Sequence, residues 1–101
     1  MKFAITGLML LFFISTAQAE IHFSGGNGES AAQAVQILGA QGEVDGVRSE
    51  YEWVAKRNPG CKRVSQALTS HNDQQIDQLN YNCSGTIRVF YFDITALFGK
   101  F

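Results

Sequence analysis

Cys61 and Cys83 are the most reactive side chains in the sequence, and they are its only thiols. They lack the Cys-x-x-Cys spacing of a thioredoxin-like redox pair, so a structural disulfide is expected. Their midpoint is residue 72, inside His71-Asn72-Asp73, a run with turn chemistry. A three-residue loop there sets Cys61 directly across a hairpin from Cys83, at a separation suited to bridging. The apolar alternation prefers a register one residue out, with Val64 facing Tyr81. A β-bulge between Cys61 and Val64 reconciles the two and is therefore expected.

Other chemistry is sparse. A zinc site needs several Cys or His at clustered spacing. With the cysteines bridged, only His22 and His71 remain, 49 positions apart, so neither a metal nor a cofactor is expected. His71 reads as a solvated turn residue and His22, between Ile21 and Phe23, as a sheet-edge residue. There is no Gly-x-Ser-x-Gly elbow to support a Ser-His-Asp set. A pair of acids for glycoside chemistry would need a substrate cleft as well as a core, which so short a chain hardly has room for. Gly25-Gly26-Asn27-Gly28 lacks the Gly-Lys-[Ser/Thr] ending of a phosphate-binding loop and reads as a flexible turn. No catalytic residue is assigned, and enzyme activity is not expected. The alternatives are a small hydrolase using His22 or His71, or a passive envelope stress protein with no specific ligand.

Candidates for contact with a partner are clearer. Trp53 falls beside the apolar stripe of a helix, next to Arg57, and Trp and Arg are enriched in binding hot spots. Ile87, Val89 and Tyr91 share one side of a strand and would form an apolar patch if nothing covers them. Lys56, Arg57, Lys62 and Arg63 make a basic cluster after an acidic run of Glu43, Asp45, Glu50 and Glu52. That polarity suits either a helix end with dipole-matched charges or the steering of a charged partner.

These residues must be held by a small number of elements. The chain has 101 residues, 46% of them apolar, with 8 basic and 9 acidic groups, which suits one small domain. The near-neutral balance argues against a nucleic-acid partner. Met1-Lys2, an apolar run over 3–14 and Ala17-Gln18-Ala19 form a secretory leader cut after Ala19. Glu20 rather than Cys follows, so lipid attachment is not expected, and no later stretch is apolar enough to remain in a membrane. The expectation is a periplasmic or secreted domain over 20–101, near the size at which a core alone gives a thin margin.

Within it, Glu20–Phe23 alternates as a short strand would, and 30–38 fits a helix or a strand equally well. The clearest helix is 44–57, with Val44, Val47, Tyr51 and Val54 as its stripe and Asn58-Pro59-Gly60 as its stop. The period then changes to two. Strands over 62–70, 75–83 and 86–95 follow, with Ser84-Gly85 as a two-residue turn pairing Leu79 with Phe90. Asp77 is the exception in the apolar row of Leu79, Tyr81 and Cys83. The expected fold class is α+β: one main helix packed on an antiparallel three- to four-stranded β-meander, in two layers, with one disulfide.

Gly25-Gly26-Asn27-Gly28, Glu50-Tyr51-Glu52-Trp53, Pro59-Gly60, Tyr91-Phe92-Asp93-Ile94-Thr95 and Leu97-Phe98-Gly99-Lys100-Phe101 together resemble a group of small secreted bacterial proteins of no assigned activity. That likeness spans most of the chain after the leader. It implies bacterial export and carries over no catalytic residue. The layout also resembles cystatin-like and PepSY-like domains, in architecture only. The functional expectation is a binding module that recognises another envelope or secreted protein, as an inhibitor or accessory factor.

Overall fold

The computed structural model describes residues 20–100, so the leader expected at 1–19 and the terminal Phe101 lie outside the described residues. In chain order the elements are β1 (His22–Gly25), a 3-10 turn (Ala31–Gln33), β2 (Val35–Leu38), α1 (Glu43–Arg57), β3 (Cys61–His71), β4 (Gln74–Cys83) and β5 (Thr86–Asp93). The strands form one sheet in the order β1-β2-β5-β4-β3, with α1 against one face. This is the α+β arrangement with one helix on a mostly antiparallel sheet. The meander is widened to five strands by β1 and β2, and β2 runs parallel to β5, with Val35 opposite Phe92. A parallel pair requires a crossover, and α1 lies in the connection that supplies it.

Segment 30–38 divides its two local preferences. Ser30 caps the short turn, its hydroxyl accepting from the Gln33 amide at 3.2 Å. After Ala34 the alternation of Val35 and Ile37 with Gln36 takes over, burying Val35 and Ile37 in β2.

The β3–β4 hairpin differs from the three-residue loop expected at 71–73. His71 pairs with Gln74, and the turn is Asn72-Asp73, both with positive φ (48° and 64°). Right-handed strand twist favours such two-residue turns, and Asn and Asp tolerate the left-handed conformation best among non-glycine residues. The shorter turn sets the register that the apolar pattern prefers as far as Ser65 and Asn80. The register then shifts between Arg63 and Ser65, and Cys61 comes opposite Cys83. The expected bulge is therefore present, but Val64 is itself the extra residue, and Arg63 takes the place opposite Tyr81. The second turn, Ser84-Gly85, pairs Cys83 with Thr86 and Leu79 with Phe90 as expected. Glycine has the least strain at φ 64°, so Asp73→Gly should raise stability by about 0.5 kcal/mol. A urea midpoint that is unchanged or lower would count against this turn.

The core joins Val35 and Ile37 of β2, Trp53 and Val54 of α1, Leu79 and Tyr81 of β4, Phe90 and Phe92 of β5, and Ile94 and Leu97 beyond it. The buried helix face is Gly46, Ser49, Glu50, Trp53 and Val54. Of the expected stripe of Val44, Val47, Tyr51 and Val54, Val54 is fully buried, but Val44 is 65% exposed and Val47 and Tyr51 are only half-buried. The helix is turned so that Trp53, the largest apolar side chain available to it, meets the sheet. Trp53 contacts Phe92 and Phe90 edge-on, with centroids 5.4 and 6.0 Å apart. Trp53 is thus a core residue, 7% exposed, rather than a boundary residue.

Candidate functional site

Turning the helix this way brings Glu50 onto the sheet. Glu50 is 0% exposed and Asp77, the exception in the β4 row, is 5% exposed. With both ionised, neither oxygen of Glu50 has a hydrogen-bond donor. A proton on Glu50 supplies one, and the Asp77 carboxylate accepts it. Burial is the main reason the Glu50 carboxyl is pushed up to about 10, with the hydrogen bond to Asp77 and the Asp77 charge adding to it. Tyr81 lies in the same layer. Burial raises its phenol, Arg63 opposes that, and Tyr51 and Glu50 reinforce it. A neutral carboxyl at pH 7 is a proton donor in principle. Glu50 is sealed from solvent, so a substrate has no path to it, and its consequence is for stability.

The disulfide joins Cys61 and Cys83, with Cα atoms 4.2 Å apart. It fastens the start of β3 to the end of β4. A disulfide is compatible with export into an oxidising compartment, and no helix among the described residues is long and apolar enough to cross a membrane. β3 needs the fastening because it receives little cover: Lys62, Arg63, Val64, Ser65, Gln66, Ala67 and Leu68 are all exposed. Its main anchor to the helix layer is Tyr51, whose hydroxyl donates to Gln66 Oε1 at 2.5 Å.

The partner-contact candidates separate into two groups. Trp53 and Arg57 line a shallow cleft of roughly 350 Å³ with Phe23, Val35 and the Gly25-Gly26-Asn27 loop. The Arg57 guanidinium lies 4.4 Å from the centroid of the Trp53 ring. Ile87, Val89 and Tyr91 lie on the opposite face, in register with Asn82, Asn80 and Gln78. Ile87 is 57% exposed, while Val89 and Tyr91 are half-buried. His22 and His71 stand in β1 and β3, the two outer strands, so they do not share a site. Among the described residues no group of three or more His, Cys, Asp or Glu is placed to hold a metal ion.

Gly28 and Trp53, from two of the short motifs quoted above, meet at the helix–sheet seam. Gly28 has φ 80°, and a Cβ there would stand 3.2 Å from Val35 and 3.4 Å from Trp53. Its carbonyl accepts from the Tyr91 amide at 2.9 Å, tying the loop to β5. Sequence reasoning missed the Glu50–Asp77 pair and the exposure of β3. The signal for the first was present: an acid inside an apolar strand row implies a buried partner. The chain matches no known family model, no curated protein and no solved structure.

Proposed function

We propose that the protein is an exported binding module that recognises an extended segment of another envelope or secreted protein, as an inhibitor or accessory factor. The observation that carries this is β3. It is eleven residues long, hydrogen-bonded on one side to β4, and ends the sheet on the other. An edge of this kind presents unpaired N–H and C=O groups that a partner strand completes, and alternate side chains give the selectivity. The Val64 bulge interrupts pairing near the cysteines and leaves 65–71 as the regular stretch. The cleft at Trp53 and the Ile87-Val89-Tyr91 face flank this sheet but offer no comparable row of main-chain groups.

Hydrogen exchange on a peptide-bound sample tests the reading. Alternate amides of 65–71 should exchange quickly in the free protein and slow by about tenfold or more when a strand-forming peptide is bound. Protection confined to other strands would refute it. Neighbouring strand N–H groups point to opposite edges. Of Ala67→Pro and Leu68→Pro, therefore, one should abolish peptide binding with the fold intact, and the other should disturb the β3–β4 ladder.

A further inference from the structure

We infer that the partner segment is acidic and that it continues from β3 across the end of the domain at the C-terminus of α1; this rests on the edge-strand reading and names its partner's chemistry. Three elements each bring an arginine to that end: Arg57 of α1 and Arg88 of β5 lie over Trp53 and Phe90, whose ring centroids are 6.0 Å apart, and Arg63 of β3 is one strand beyond Tyr81 from Arg88. Each guanidinium lies over an aromatic ring. Arg57 is 4.4 Å from the Trp53 centroid, Arg63 is 3.9 Å from Tyr51 and Arg88 is 5.1 Å from Phe90. All three side chains are exposed. Stacking orders a guanidinium while leaving its N–H groups free for a carboxylate. Arg88 is further held by donating to Asn58 Oδ1 at 2.5 Å, which links it to the residue after Arg57.

Among the described residues the ion pairs are His22–Glu20 and Arg48–Asp45, so none of the three arginines has a carboxylate partner. The helix dipole accounts for cations in the last turn, which are Lys56 and Arg57. It does not account for Arg63 and Arg88, which lie on the sheet. Register places these two on either side of Tyr81 on one face. At ~4.8 Å per strand their Cα atoms are about 10 Å apart, and an extended chain covers that in about three residues. Side chains of an extended chain alternate between faces, so acids two or four positions apart, about 7 or 13 Å, bracket that span and meet Arg63 and Arg88 in turn, and Lys62 adds charge at the start of the same strand. The arc begins at a strand edge whose main chain is open to pairing. A polypeptide satisfies both features, whereas a lipid headgroup or a nucleic acid satisfies only the charge.

Trp53 is the only tryptophan and lies under Arg57, so its fluorescence reports on this end. The experiment titrates the full exported protein with three peptides of about ten residues. All share one Val/Thr strand frame and carry Glu, Gln or Lys at every second position, on one face. The Glu peptide should bind about tenfold more tightly than the Gln peptide, and the Lys peptide more weakly still. The preference should shrink with added salt and in Arg63→Gln/Arg88→Gln, with unchanged circular dichroism. If that variant does not fold, the salt titration on the unaltered protein decides.

Equal binding of the Glu and Gln peptides, with β3 amides protected, overturns the acidic partner and leaves the edge reading standing. Glu-peptide binding that is sensitive to the arginines but leaves β3 amides unprotected overturns the edge reading alone. No binding by any of the three peptides overturns both.

Discussion

Unfolding free energy measured from pH 4 upward should fall, and by pH 7 the loss from one residue should be on the order of 3 kcal/mol. The residue is Glu50. Its carboxyl ordinarily titrates near 4.5 and in the folded protein is raised to about 10. Between those values the unfolded chain has released the proton and the folded protein keeps it. The folded state then binds more protons, so each step up in pH favours unfolding. The stabilising contribution is complete below pH 4.5 and is lost progressively towards pH 10. Glu50→Gln keeps the shape and the donor to Asp77 but cannot ionise. It should be more stable than the unaltered protein at pH 7 and should flatten the pH dependence across this window. Asp77→Asn should leave part of the slope, because burial is the largest cause of the shift. Urea midpoints at a series of pH values check all three. Parallel slopes for the unaltered protein and Glu50→Gln would show that Glu50 is not the source.

Removing the disulfide should cost about 3 kcal/mol, from a closed loop whose ends are 22 positions apart. That is a large share of the roughly 4–12 kcal/mol expected of a domain this size. The loss should also be local at first. β3 is exposed along most of its length, so the cross-link supplies what burial supplies elsewhere. Cys61→Ser/Cys83→Ser should show a lower urea midpoint and faster amide exchange in β3 than in β5. Equal midpoints with and without reductant would refute the first expectation, and uniform exchange the second. If β3 is the binding strand, the same variant should bind extended peptides more weakly, because the edge they pair with is no longer held flat against β4.

The buried face of α1 is rotated from its apolar stripe and shares Val54 with it. A count of apolar residues places the stripe on Val44, Val47, Tyr51 and Val54. The face that packs includes Gly46, Ser49 and Glu50, which such a count treats as outward. Trp53 decides between the two. Its contacts with Phe90 and Phe92 outweigh the exposure of Val44, and Glu50 is carried inward with it. The same turn moves Trp53 from a contact surface into the core, leaving Arg57 as the exposed member of that pair.

Local interactions were legible wherever they act over a few residues. The sequence by itself determined the helix over 44–57 to within one residue, the Ser84-Gly85 turn, the facing cysteines and the need for a bulge beside them. Each follows from capping, turn chemistry or the period-two register, which neighbouring residues set. Tertiary structure alone decided the parallel β2–β5 pairing, the face of α1 that is buried, the union of Glu50 with Asp77 and the arc of three arginines. Those features join residues far apart in the chain. They are fixed by which surfaces bury the most apolar area together, and short-range spacing carries no record of that competition.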